Sequence, residues 1–260
     1  MKFVPDIIRQ LGVFHHLKGA ALQREKLKDY RNVVYLQAIV VVLLMTLEDA
    51  VALTGIKEAQ KYVYLLFMGF AGLYLLLLWD MLKNFTANMA VLRGALVILL
   101  IMFVLGVLGE NPYKRLLPEP RPFYIFIHVN LFAIQVYVMV LAVRDIFTGN
   151  RLTTDKLWGS ACVYMMSAFA FGDVYDLLNL LNPGCFGTEI PVGFPSYLAG
   201  VFYSFSTLGG LDAGYPNQAR LVHNVSVIQA VQANLYLVFL IGRILGMNTG
   251  EAAEHDEPNA

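Results

Sequence analysis

Apolar residues in this chain gather into long runs rather than the short alternating patterns of a water-soluble core. A helix that crosses a bilayer needs about 20 mainly apolar residues at ~1.5 Å rise per residue. Six segments meet or approach that length: about 33–54, 62–82, 89–109, 123–147, 156–181 and 221–246. A seventh apolar stretch, Ser196 to Leu208, is too short to cross. Short apolar stretches of that kind read as buried or re-entrant helices. Pro195 followed by Ser196 predicts a helix start there, with Ser196 as N-cap. The expected fold is therefore an all-α membrane protein of six transmembrane helices, with a re-entrant helix between spans five and six.

The segments outside the spans complete the expected organisation. Phe3, Val4, Ile7, Ile8, Leu11, Phe14 and Leu17 recur at helical spacing. They predict an amphipathic helix within residues 1–32, lying on a lipid surface or packing on the bundle. Residues 33–147 form a four-span membrane domain, and 155–247 form a second unit of span, short helix, loop and span. The polar linker 148–156 separates them, and the acidic tail 248–260 is expected to be disordered.

Composition agrees with lipid as the solvent. The chain has 260 residues, 58% hydrophobic and 15% charged, against roughly 25% charged in ordinary soluble domains. Lys+Arg and Asp+Glu balance at 19 each, which argues against a basic nucleic-acid binder. No nucleic-acid partner is expected; membrane lipids are. Cys162 and Cys185 have neither zinc-ligand nor disulfide-framework spacing and read as a packed thiol and a loop thiol. With the N-terminus inside, thirteen basic residues fall on the inner side, from Lys2 to Arg243. Only six fall outside: Lys57, Lys61, Lys114, Arg115, Arg121 and Arg220. Basic residues favour the cytoplasmic side. That split predicts a cytoplasmic membrane location with both termini cytoplasmic, and puts the short helix at the outer face.

The candidate chemistry lies after that short helix, where Ser206, Thr207, Leu208, Gly209, Gly210, Leu211 and Asp212 follow an apolar stretch. Non-helical backbone at membrane depth is tolerated only where it is buried or lines a wet cavity. A half-helix running into a Gly-rich polar loop between two spans is a pore-loop pattern. Its backbone carbonyls can replace an ion's hydration shell, and the negative end of its dipole favours a cation. In span six, Gln229, Gln232 and Asn234 are amides in an apolar helix, suited to line a cavity or to bond between helices. Asp173 and Asp176, three apart in span five, share a helix face. They can concentrate cations at a pore mouth or anchor the short helix, the preferred reading. Glu48 and Asp49 read as a wet pair at the end of span one, near Lys57 and Lys61. Span four holds only His128 and Arg144, not the basic ladder that voltage sensing needs.

Residues 155–247 resemble the pore module of potassium channels, in particular the prokaryotic six-span members. Where that family commonly reads TLTTLGYGD, this chain has FSTLGGLD. The stretch IQAVQANLYLVFLIGRILG (228–246) is similar to the family's inner helix. The ACVYMM start and LLNPGCF end of span five also agree. The resemblance implies a homotetramer with residues 206–212 along the ion pathway, Asp212 bracing its mouth and span six lining it. It implies no cofactor and no metal beyond the permeant monovalent cation, potassium or sodium, and no enzyme activity. The family's Gly-Tyr-Gly positions hold Gly209, Gly210 and Leu211, so the bracing aromatic is missing. A leucine where positive φ is expected would be strained, and the loop is expected to follow another path. The expected function is a potassium-channel-like cation pore of altered selectivity. The alternative is a non-conducting scaffold or regulatory subunit with the same fold. An intramembrane enzyme or transporter ranks last, since the spans contain no HExxH, HxxxH or GxSxG.

Overall fold

The computed structural model describes residues 19–54, 59–86, 88–111, 118–148 and 154–253. Among these residues there are seven helices and no strand. They are α1 (Gly19–Thr54), α2 (Ala59–Phe85), α3 (Met89–Gly109), α4 (Arg121–Ile146), α5 (Thr154–Leu181), α6 (Phe194–Leu208) and α7 (Arg220–Ala253). Six are long and apolar enough to cross a membrane, all but α6. The chain is a multi-pass membrane protein by this measure.

Local signals account for several helix ends. Asn88 caps α3, its side-chain oxygen accepting from the backbone N–H groups of Ala90 and Val91 at 3.0 and 3.4 Å. Proline stands in the first turns of α4 and α6, where a missing N–H costs nothing. Other expected boundaries move. The apolar segment of α1 begins at Arg24, nine residues before the expected start. Its charged first turns find partners on other helices. Lys26 pairs with Asp145 at 2.6 Å and lies over the Phe85 ring at 4.8 Å. Buried Asp29 accepts from Asn84 at 2.5 Å. The division expected at residue 32 therefore lies inside a continuous helix. The amphipathic segment 2–18 lies outside the described residues, as do Lys57 and the side chains of Glu48 and Asp49. At the other end α7 continues to Ala253, past the expected start of a disordered tail.

α5 is the centre of the bundle. Of its apolar segment 61% is buried, against 28% or less for every other spanning helix. It packs against α1, α4, α6 and α7. Small residues allow this closeness, since they let helix backbones approach where lipid supplies no hydrophobic drive. A Cβ on Gly159 would stand 3.0 Å from the Tyr30 ring. One on Gly172 would stand 2.9 Å from Val201. One on Gly200 would stand 2.7 Å from the Gly172 carbonyl oxygen.

α6 runs antiparallel along α5. Ser196 meets Asp176, and Ser204 Oγ donates to the Ala168 carbonyl at 2.6 Å. α6 thus descends from the Leu181 end of α5 to near its middle. The chain then returns, for Ala219 N–H bonds to the Cys185 carbonyl at 2.7 Å. α7 next traverses the length of α5, and Tyr236 near its far end donates to the Ser160 carbonyl at 3.0 Å.

Gly200→Ala is expected to lower stability by ~1–3 kcal/mol, because the added methyl meets fixed backbone. Gly94→Ala, where a Cβ meets nothing within 4 Å, should be neutral or slightly stabilising. Thermal unfolding of the detergent-solubilised protein compares the two directly.

Candidate functional site

The loop after α6 is the first place to look. Ser206, Thr207 and Leu208 form the last helical turn, with Gly209 as C-cap. Gly210 takes the left-handed conformation at φ 68. Its N–H bonds to the Thr207 carbonyl at 3.1 Å, and the Leu211 N–H bonds to the Ser206 carbonyl at 2.8 Å. This pair of bonds is a Schellman closure. It uses the carbonyls of Ser206 and Thr207 inside the cap, so in this conformation they are not open to an ion. No backbone N–H among the described residues bonds to the carbonyls of Leu208, Gly209 or Gly210. Gly210 absorbs the positive φ, and Leu211 is not among the residues with positive φ. The strain expected at Leu211 is thereby avoided. Exposed Asp212 accepts from the Gly214 N–H at 3.0 Å, an Asx turn that starts the return path.

A cluster of rings supports that return path. Tyr203 stands 4.6 Å from Tyr175, 5.5 Å from Phe186 and 6.0 Å from Tyr215, centroid to centroid. Tyr203 and Gln218 share a hydrogen bond of 2.5 Å. Gly187, at φ 85, leaves no room for a Cβ, which would fall 2.2 Å from the Pro216 carbonyl oxygen. Cys185, read as a loop thiol, is buried in this cluster, and burial pushes its thiol pKa up.

The three amides of α7 do not share a face. Gln229 is fully buried: its Nε2 donates to Ser204 Oγ at 2.8 Å and to the Ser204 carbonyl at 3.0 Å, while its Oε1 accepts from Tyr175. It ties α7 to α6 and α5 and does not line a cavity. Gln232 is half-buried, with Oε1 unpartnered, and Asn234 is exposed. Asn234 lies in a stripe with Val227, Val231, Val238 and Ile241, each at least 50% exposed. Only 11% of the α7 apolar segment is buried.

A second polar centre lies at the start of α6. His128 of α4 bridges two carboxylates of α5, with Nδ1 2.9 Å from Asp173 Oδ1 and Nε2 2.9 Å from Asp176 Oδ2. Carboxylates only accept, so two hydrogens must lie between the three groups. An imidazolium between two carboxylates, or a neutral ring with one protonated carboxyl, leaves the same single negative charge. Gln135 donates to Asp173 at 3.1 Å, and Ser196 Oγ donates to Asp176. Asn179 donates to Ser196 at 2.8 Å, and Tyr197 stacks on His128 at 5.2 Å. The Glu110 carboxyl, just beyond α3, lies at the N-terminus of α6, its Oε1 2.6 Å from where a Cβ on Gly193 would stand. Burial pushes its pKa up. Two acidic side chains, Asp176 and Glu110, thus lie at the N-terminus of α6, where the helix dipole favours negative charge.

Asp176 therefore anchors α6 through Ser196, whereas Asp173 is tied to α4 through His128 and Gln135, and both are buried rather than exposed. Ser196 serves as an anchor and not as the N-cap, which is Gly193. Sequence reasoning gave His128 and Gln135 no part in this centre. Their spacing of seven, which puts both on one face of an apolar helix, is the one sequence signal that links them.

Comparison with family models, with curated proteins and with solved structures finds no match to this chain. His128→Ala removes the link between two buried carboxylates and is expected to cost ~3–5 kcal/mol. Adding Asp173→Asn should recover part of that loss. Unfolding of the single and double variants measures the coupling.

Proposed function

We propose that four copies of this chain form a pore-loop channel that passes monovalent cations, potassium or sodium, through a cell membrane. In this reading α6 is a re-entrant pore helix. The observation that carries it is the course of residues 194–219, which descend along α5 to near its middle and return to the same end. A soluble-type core helix has no need of such a detour. The carbonyls of Leu208, Gly209 and Gly210, which no backbone N–H among the described residues engages, lie at the negative end of the α6 dipole and suit a partly dehydrated cation. Asp212 adds a negative charge beside them. The exposed face of α7, with Asn234 inside an apolar stripe, suits a wet path shared by several copies rather than lipid alone.

Selectivity follows from the closure of the loop. An extended filter presents successive rings of carbonyls, whereas here the helix cap uses those of Ser206 and Thr207. We therefore read the pore as weakly selective between potassium and sodium. The same closure favours the second reading, a channel-fold scaffold or regulatory subunit that carries no current.

Proteoliposome fluxes separate the two. The channel reading expects potassium and sodium fluxes of similar size. Asp212→Asn keeps the Asx turn but removes the charge. It should lower cation flux about tenfold at low ionic strength, with the difference shrinking as salt rises. Absence of cation flux across pH and voltage would leave the scaffold reading.

A further inference from the structure

A cavity of about 200 Å³ lies among α1, α2, α3 and α4 and the start of α6. Its wall is almost entirely apolar, and Phe67, Phe70, Phe103 and Phe169 supply much of it. Gln37 is set into this wall at 1% exposure. Its Nε2 reaches the Tyr74 hydroxyl at 3.3 Å, and its Oε1 has no hydrogen-bond partner. The ionisable carboxyl and imidazole of the wall are Glu110 and His128, the latter held between Asp173 and Asp176.

These features restrict what can occupy the space. Apolar cavities stay dry, and one of ~150 Å³ is large enough to hold benzene. A water bound at Gln37 and Tyr74 would leave most of the volume facing phenyl rings. A lipid acyl tail would fill the volume but leave the amide unpaired, which is costly in a buried site. A charged ligand would give up its hydration to an almost entirely apolar wall, which is costly. A hydroxyl group both donates and accepts, so it satisfies the free end of the Gln37 amide in either orientation.

We propose that this cavity binds one neutral, membrane-soluble aromatic molecule of one or two rings, whose single hydroxyl pairs with Gln37 and Tyr74. The rings stack against the phenylalanine wall. Phe194 and Tyr197 bring α6 into contact with the occupant. The site stands on the cavity and the amide alone, independent of whether the protein conducts ions.

Equilibrium dialysis of the full chain in detergent, against matching empty micelles, tests this with 2-naphthol and 2-methylnaphthalene. The expected result is saturable binding of both, about tenfold tighter for 2-naphthol. Gln37→Leu should remove the preference and keep 2-methylnaphthalene binding. Ala71→Phe, which projects a ring from the wall, should abolish both. Gly106→Leu, whose added Cβ meets nothing within 4 Å, serves as the second blocking variant should Ala71→Phe lose its cooperative thermal transition. Binding no greater than in empty micelles, equal affinity for the two compounds, or a preference that survives Gln37→Leu would overturn the proposal. Equal displacement of both by dodecane would assign the cavity to lipid tails instead.

Discussion

Gly200 lies so near the Gly172 carbonyl that any side chain there would enter the backbone of α5. Much else in the structure depends on this contact. With the two helices this close, Ser196 reaches Asp176 and Ser204 reaches the Ala168 carbonyl. α6 is held at two levels one above the other, which sets both its direction and its depth. The carboxylates at its N-terminus suit the helix dipole but are buried, and burying charge without compensation is expensive. His128 supplies the compensation from α4, and Glu110 lies beside the helix start from beyond α3. The four-span part of the chain is thereby bound to the helix that precedes the loop.

The other end of α6 faces the opposite problem. A helix end leaves its last carbonyls without intrahelical partners. Gly210 resolves this by turning left-handed, so that the next N–H groups fold back onto Thr207 and Ser206. Leu211, placed just after, keeps an ordinary backbone. Tyr175, Phe186, Tyr203 and Tyr215 brace the returning segment rather than the turn itself. The loop is built from local closure and ring packing.

α7 shows how unevenly the spans are partnered. Gln229 commits one face to α5 and α6, while the stripe through Asn234 stays open in the single chain. An amide in an otherwise apolar exposed stripe has no good partner in lipid. The cavity beside Gln37 is a separate matter, lined by residues of one copy.

The order and length of the spans were legible in the sequence, because each must supply about 20 apolar residues by itself. The shortness of α6 and the glycines after it were legible for the same reason: they are local properties. The pairing of Asp173 and Asp176 on one face followed from helical spacing. Their partner did not, since His128 comes from a helix 45 residues away and its part depends on how α4 packs. Gln229 and Asn234 are both amides in one apolar helix, and only packing turned one inward and left the other open. The early start of α1 was likewise hidden, because Lys26 and Asp29 look like solvated charges until Asp145 and Asn84 stand beside them. Hydrophobic length belongs to each segment and can be read along the chain. Which polar group meets which belongs to pairs of segments, and only the tertiary structure decides it.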